Sequence, residues 1–254
     1  MKIYSLLAGL LLPLASIFAQ QDTVKITSDM VNTKVLKKGM NRYLVYFKLG
    51  KDSTRSNFNI WSRSIDYIDY EGRKAISVTQ EWEDNTKIVH TVYSVCDEKT
   101  FAPLFQKSEW TGRTNSTFDF LKKEGYIKDT LLKSTDTARA KKQPYLAFQQ
   151  ALSEYVLNWH LDLETFPILP YKDGRTFLIN FYDPGFSAPA LQAYTVTGSS
   201  KLAGYDDQQV DCWLLTHTSP NNKEVFWISK KTKEVLKLEQ QFGERYRFKI
   251  KLPE

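Results

Sequence analysis

The sequence predicts a mainly β protein with one principal helix: a large, curved antiparallel sheet, a half-barrel, wrapped around that helix. Three observations predict it. About a dozen short runs alternate apolar and polar residues between turn residues. Helical spacing occurs once, after Gln143. The chain also carries 14 Tyr, 15 Phe and 6 Trp, side chains that suit half-buried strands. So many strands present more apolar face than one helix covers, and the sheet must curl or fold into two layers to bury it. A strongly curved sheet with the helix across its concave side meets that demand and leaves room for an apolar cavity.

At the start of the chain, Lys2 precedes an apolar run through Leu6, Leu7, Leu10, Leu11 and Leu12, broken by Pro13. Small-residue spacing around Ile17 and Ala19 marks a cleavage point before Gln20. The run is shorter than the roughly 20 apolar residues that span a bilayer. Residues 1–19 therefore read as a signal peptide, and 20–254 as one β-rich domain. The protein is expected to be exported, to the periplasm or cell envelope, with no transmembrane segment in the mature chain. The formal charge of +6 drops by one when Lys2 is removed. Acids and bases are interspersed, so this excess does not call for nucleic acid as a partner.

From Arg42 the chain reads as a meander of hairpins. Tyr43, Val45, Phe47 and Leu49 alternate with Arg42, Leu44, Tyr46 and Lys48. Further strands are expected at 58–64, 75–83, 87–96, 101–110, 116–122 and 126–132, with a turn at Glu71, Gly72 and Arg73. The polar tract 133–142 reads as a loop. Pro144 suits a first helical turn, and Phe148, Leu152, Tyr155, Val156 and Trp159 then form one apolar stripe, so a helix is expected near 144–162. Strands return at 176–182, 193–198, 209–217, 224–229, 235–242 and 245–252. In the last, Tyr246, Phe248, Ile250 and Leu252 share one face; Arg245, Arg247, Lys249 and Lys251 share the other. That cationic row is expected on an exposed edge or outer surface.

Two stretches carry a family resemblance. Asp97, Thr100 and Pro103 stand in an Asp-x-x-Thr-x-x-Pro arrangement. Trp227, Ile228, Thr232, Val235, Leu236 and Lys237 match a Trp-Ile-x-x-x-Thr-x-x-Val-Leu-Lys hairpin. A third, around Leu169, Pro170 and Gly174, is similar to another stretch of the same family. Together they resemble exported bacterial proteins of the domain-of-unknown-function 3108 type. Those are in turn similar to the periplasmic carriers and outer-membrane acceptors of the lipoprotein-sorting superfamily. The resemblance implies a curved sheet around a helix and an acyl chain or similar apolar group in the concavity. Phe148, Leu152, Tyr155 and Trp159 are then the expected ligand-binding residues.

Chemistry is hard to find. His90, His160 and His217 lack ligand spacing, and no metal site or cofactor is expected. No nucleophile elbow or phosphate-binding glycine loop occurs, so no enzyme is expected. Trp61, Trp82, Trp110 and Trp227 invite thoughts of carbohydrate stacking, but core packing is the commoner use of such residues. Cys96 and Cys212, the only cysteines, form a possible disulfide in an exported chain or remain two buried thiols. The expected function is a non-catalytic envelope protein binding a lipid or acyl chain. The alternative is a structural protein with a filled core that meets another envelope protein through its cationic last strand.

Overall fold

The computed structural model describes residues 22–204 and 208–253; the expected signal peptide lies outside them. The described residues form sixteen strands of one sheet. The first nine are β1 Thr23–Lys25, β2 Gly39–Leu49, β3 Ser56–Tyr70, β4 Arg73–Glu83, β5 Ile88–Asp97, β6 Pro103–Trp110, β7 Asn115–Asp119, β8 Glu124–Ile127 and β9 Thr130–Leu131. Helix α1, Arg139–Ser153, follows, then β10 Leu157–Asn158 and the short helix α2, Asp162–Thr165. The rest are β11 Thr176–Asp183, β12 Ser187–Ala203, β13 Gln209–Ser219, β14 Asn222–Ser229, β15 Val235–Phe242 and β16 Arg245–Lys251.

The expected class holds: a mainly β chain whose single sheet is curved and open. Strands β11 to β16 lie side by side in sequence order, β16 then pairs with β2, and β2 to β9 continue the meander. Neighbours are antiparallel except at the free edge of β11, which β1 and β10 cover in parallel. Local chemistry sets the hairpins. Between β3 and β4, Glu71 and Gly72 both adopt positive φ, as a two-residue turn matched to strand twist requires. After β5, Asp97 accepts from the backbone N–H of Lys99 and Thr100 and from the Thr100 hydroxyl, which makes a tight turn of the Asp-x-x-Thr motif.

The expected helix is corrected at both ends. It begins at Arg139, inside the tract read as a loop, and Pro144 lies within it. It stops at Ser153, since Glu154 is extended and Leu157 and Asn158 pair with β11 instead. Tertiary strand pairing thus overrides the helical spacing. The apolar stripe is divided between two places. Phe148 is buried and Leu152 half-buried against Phe118, Leu132 and Tyr182, a small cluster where α1 joins β7, β8 and β11. Tyr155 and Trp159 pack instead against the main core, around which the sheet wraps. That core is filled not by α1 but by the stretch 157–169, in which Leu157, Leu161, Leu163, Phe166, Ile168 and Leu169 are all buried.

The last strand is the second correction. β16 is not an edge; it is held between β15 and β2. Three of its cations, Arg247, Lys249 and Lys251, face inward, while Arg245 is exposed: Lys249 is 3% exposed and binds Asp162 of α2 at 2.5 Å, and Lys251 binds Glu234 at 2.5 Å. On the other face Phe248 stacks on Tyr46 with ring centroids 4.9 Å apart, while Ile250 and Leu252 reach the end chamber described below. Alternation specifies the period of a strand but not which face is wet, and here acids on the internal segment draw the cations in.

Candidate functional site

Two chambers flank the internal segment. The first, about 730 Å³, lies at one end of the barrel. Its wall is built from Leu36, Tyr43, Ile65, Leu163, Pro167 and Val235, all buried. Lys37, Lys38 and Lys237 stand around it with Lys251. Glu164 and Glu234 are its carboxylates, and both are already paired.

The second chamber, about 240 Å³, has a different character. Trp61, Trp82, Trp110 and Trp159 line it with Phe186, Tyr194 and Phe226. Arg63, Asp162, Glu224, Arg247 and Lys249 form its charged part, and His160 and Asp183 complete it. Trp61 and Trp82, directly paired across β3 and β4, stack at 3.9 Å. Trp110 meets the edge of Trp82 at 5.5 Å, and His90 lies 3.8 Å from Trp110. Phe186, in the turn between β11 and β12, is 57% exposed.

Arg63 forms the partition between the chambers. Its guanidinium grips Glu164 in two contacts, 2.8 and 2.5 Å, and also donates to Gln80 and to the His160 carbonyl at 2.8 Å each. Burial pushes the Arg63 group down, yet Glu164 outweighs it and holds the charge firmly in place. Breaking such a buried pair from one side costs about 3–5 kcal/mol, because the other charge is stranded. Burial pushes the Asp162 carboxyl up, but Lys249 and Arg63 overcome this and hold it below the usual range. Lys249 moves the other way: burial lowers it to about 8 in spite of Asp162. Arg247 is likewise lowered by burial, with Asp162 and Glu224 only partly compensating.

Several polar atoms here lack hydrogen-bond partners among the described residues: Trp82 Nε1, Trp110 Nε1 and Arg247 Nε. His160 Nε2 and Asp183 Oδ1 stand 3.1 Å apart, close enough for an ion pair, but not aligned as a hydrogen bond. Unpaired buried polar atoms are uncommon and ask for an explanation.

The sequence-expected residues fall unevenly. Of the four ligand candidates, only Trp159 lines a chamber, the polar one. Phe148 and Leu152 sit in the seam cluster, and the Tyr155 hydroxyl donates to the Thr100 carbonyl at 2.7 Å. Cys96 and Cys212 are free, buried thiols on β5 and β13, which are not neighbours, so the possible disulfide is not formed. Burial pushes the Cys96 thiol up, and likewise Cys212, to about 11. The histidines, scattered in sequence, partly converge: the rings of His90 and His160 lie 5.7 Å apart, and burial followed by repulsion from His160 lowers His90 to about 3. Sequence reasoning missed Arg63, Asp162, Glu224 and Lys249. The one available signal was the trio Trp61, Trp82 and Trp110, which does come together; Trp227 packs elsewhere, under Lys237.

Among the described residues, no group of three or more His, Cys, Asp or Glu is placed to hold a metal ion. No helix of the described residues is long and apolar enough to cross a membrane.

No curated protein matches the chain. A solved structure, a beta-barrel-like protein of domain of unknown function DUF1849 from Brucella abortus, is similar at 8% identity. The match covers 85% of this chain and 98% of that one, with a TM-score of 0.41. The model of the family described as protein of unknown function (DUF3108) matches residues 42–251, nearly the whole barrel, and the chain belongs to that family.

Proposed function

We propose that this protein is a non-catalytic binding protein of the cell envelope that takes a lipid or acyl chain into its end chamber. The observation that carries the reading is the chamber of about 730 Å³ with buried apolar walls and lysines beside them. Its size falls within the roughly 300–1,000 Å³ typical of small-molecule sites. Lys38, Lys237 and Lys251 are paired with Asp66, Glu239 and Glu234, and Glu164 with Arg63, so the positive character that would meet an acidic head group comes from Lys37. Placement in the envelope rests on the signal-peptide character of residues 1–19. Kinship with the lipoprotein-sorting carriers belongs to the same proposal. The thiols, buried and held protonated, offer no nucleophile.

Native mass spectrometry of the mature protein, incubated with palmitate and with phosphatidylglycerol vesicles, tests this directly. One retained acyl chain per molecule is expected. Its retention should be lost in Val210→Trp, which fills the chamber from a half-buried position, with circular dichroism unchanged. Failure of the wild type to take up either lipid overturns the proposal.

A further inference from the structure

We infer that the 240 Å³ chamber is a second binding site, separate from the end chamber, and that it takes a neutral, hydroxyl-rich ring: a single sugar residue. The charges that line it are three cations, Arg63, Arg247 and Lys249, and three carboxylates, Asp162, Asp183 and Glu224. A phosphate or carboxylate ligand would call for an excess of positive charge, and a cationic one for the reverse. A balanced lining suits a ligand with no net charge.

The polar groups set around the chamber suit a polar occupant better than a wholly apolar one. Trp82 Nε1, Trp110 Nε1 and Arg247 Nε are donors left over, and Asp183 Oδ1 is a spare acceptor facing the misaligned His160 Nε2. Lys249 has one carboxylate partner, Asp162, for its three N–H groups. A ligand that both donates and accepts suits such a mixed set, and a hydroxyl does both. The remaining wall is aromatic; Trp61 is covered by Trp82 and Lys249, and Trp110 by His90 and Arg113, which leaves Trp159, Phe186 and Phe226 to meet a ring. An apolar surface with a few placed polar groups is the common make-up of small-ligand sites. A sugar ring matches it, with C–H faces for the aromatic wall and hydroxyls for the edge. The exposed Phe186 and the half-exposed Asp183 place the entrance at the turn between β11 and β12.

The test titrates the full-length mature protein with D-glucose, D-galactose, D-mannose and N-acetyl-D-glucosamine. Intrinsic tryptophan fluorescence and ligand-observed saturation-transfer NMR follow binding, with inorganic phosphate and palmitate in parallel. At least one sugar should bind saturably and change the tryptophan emission. Loss of one charged hydrogen bond should weaken it about tenfold in Asp183→Asn and, separately, in Arg247→Gln. Palmitate uptake should be unchanged in both variants, and an unchanged circular dichroism spectrum reports that they are folded whether or not palmitate binds. Four sugars without saturable binding overturn the inference, as does sugar binding that neither variant weakens. Saturable phosphate binding in their place overturns it too. Because palmitate is followed independently, failure here and failure of the end-chamber reading are distinguishable.

Discussion

Lys249 carries the plainest pH signature in the molecule. Its ordinary value is 10.5 and burial brings it to about 8, so the folded chain releases a proton that the unfolded chain still holds between those limits. Raising pH through that window therefore favours the folded state, while below about 8 the cost of burying the ammonium is fully present. Measured against Lys249→Met, the wild type should gain up to about 3 kcal/mol of stability between pH 8 and 10.5. Urea unfolding of both proteins across that range checks it; a constant difference would mean that the ammonium keeps its ordinary value. None of this was legible in the sequence. The alternation of β16 was read correctly, but the partners that turn its cations inward, Asp162 and Glu234, come from other elements. Nor does spacing reveal Arg63 and Glu164, which meet across 101 positions.

At the scale of elements, α1 acts as a seal rather than a filling. Phe148 packs edge-on against Phe118 at 5.1 Å and Phe120 at 5.2 Å, so the helix joins the β7–β8 side of the sheet to β11. Phe148→Ala should cost about 3–5 kcal/mol, as buried Phe truncations do. Hydrogen exchange should show lost protection in α1, β7 and β8, with β13 to β15 unaffected. Uniform loss across the sheet would show that the seam is not a separate unit. The strands were legible because each run carries its own period and turn residues; β4, β5, β14 and β15 fall close to their expected bounds. The helix was legible only as far as Ser153. Beyond it Tyr155 and Trp159 continue the spacing, yet Leu157 and Asn158 between them pair with β11, which no local pattern announces.

Across the whole molecule, a single sheet holds both cysteines apart, and each thiol is completely buried. Neither should react with a disulfide reagent in the native state, and both should react promptly in denaturant. The melting temperature should also be the same with and without reductant, whereas a drop on reduction would reveal a disulfide. Curvature was inferred from the excess of apolar face over helix, a count that needs no register. The two chambers were not, because they depend on where the internal segment lies. One feature of the architecture also bears on synthesis. β16 pairs with β2 across roughly two hundred positions, from Arg245 opposite Leu49 to Lys251 opposite Tyr43. While the ribosome is still making the second half, β2 has β3 on one side and nothing on the other. Its backbone donors and its Tyr43, Val45 and Phe47 then form an open, adhesive border for as long as elongation lasts. That border is covered only when β16, the last strand to be made, pairs with it.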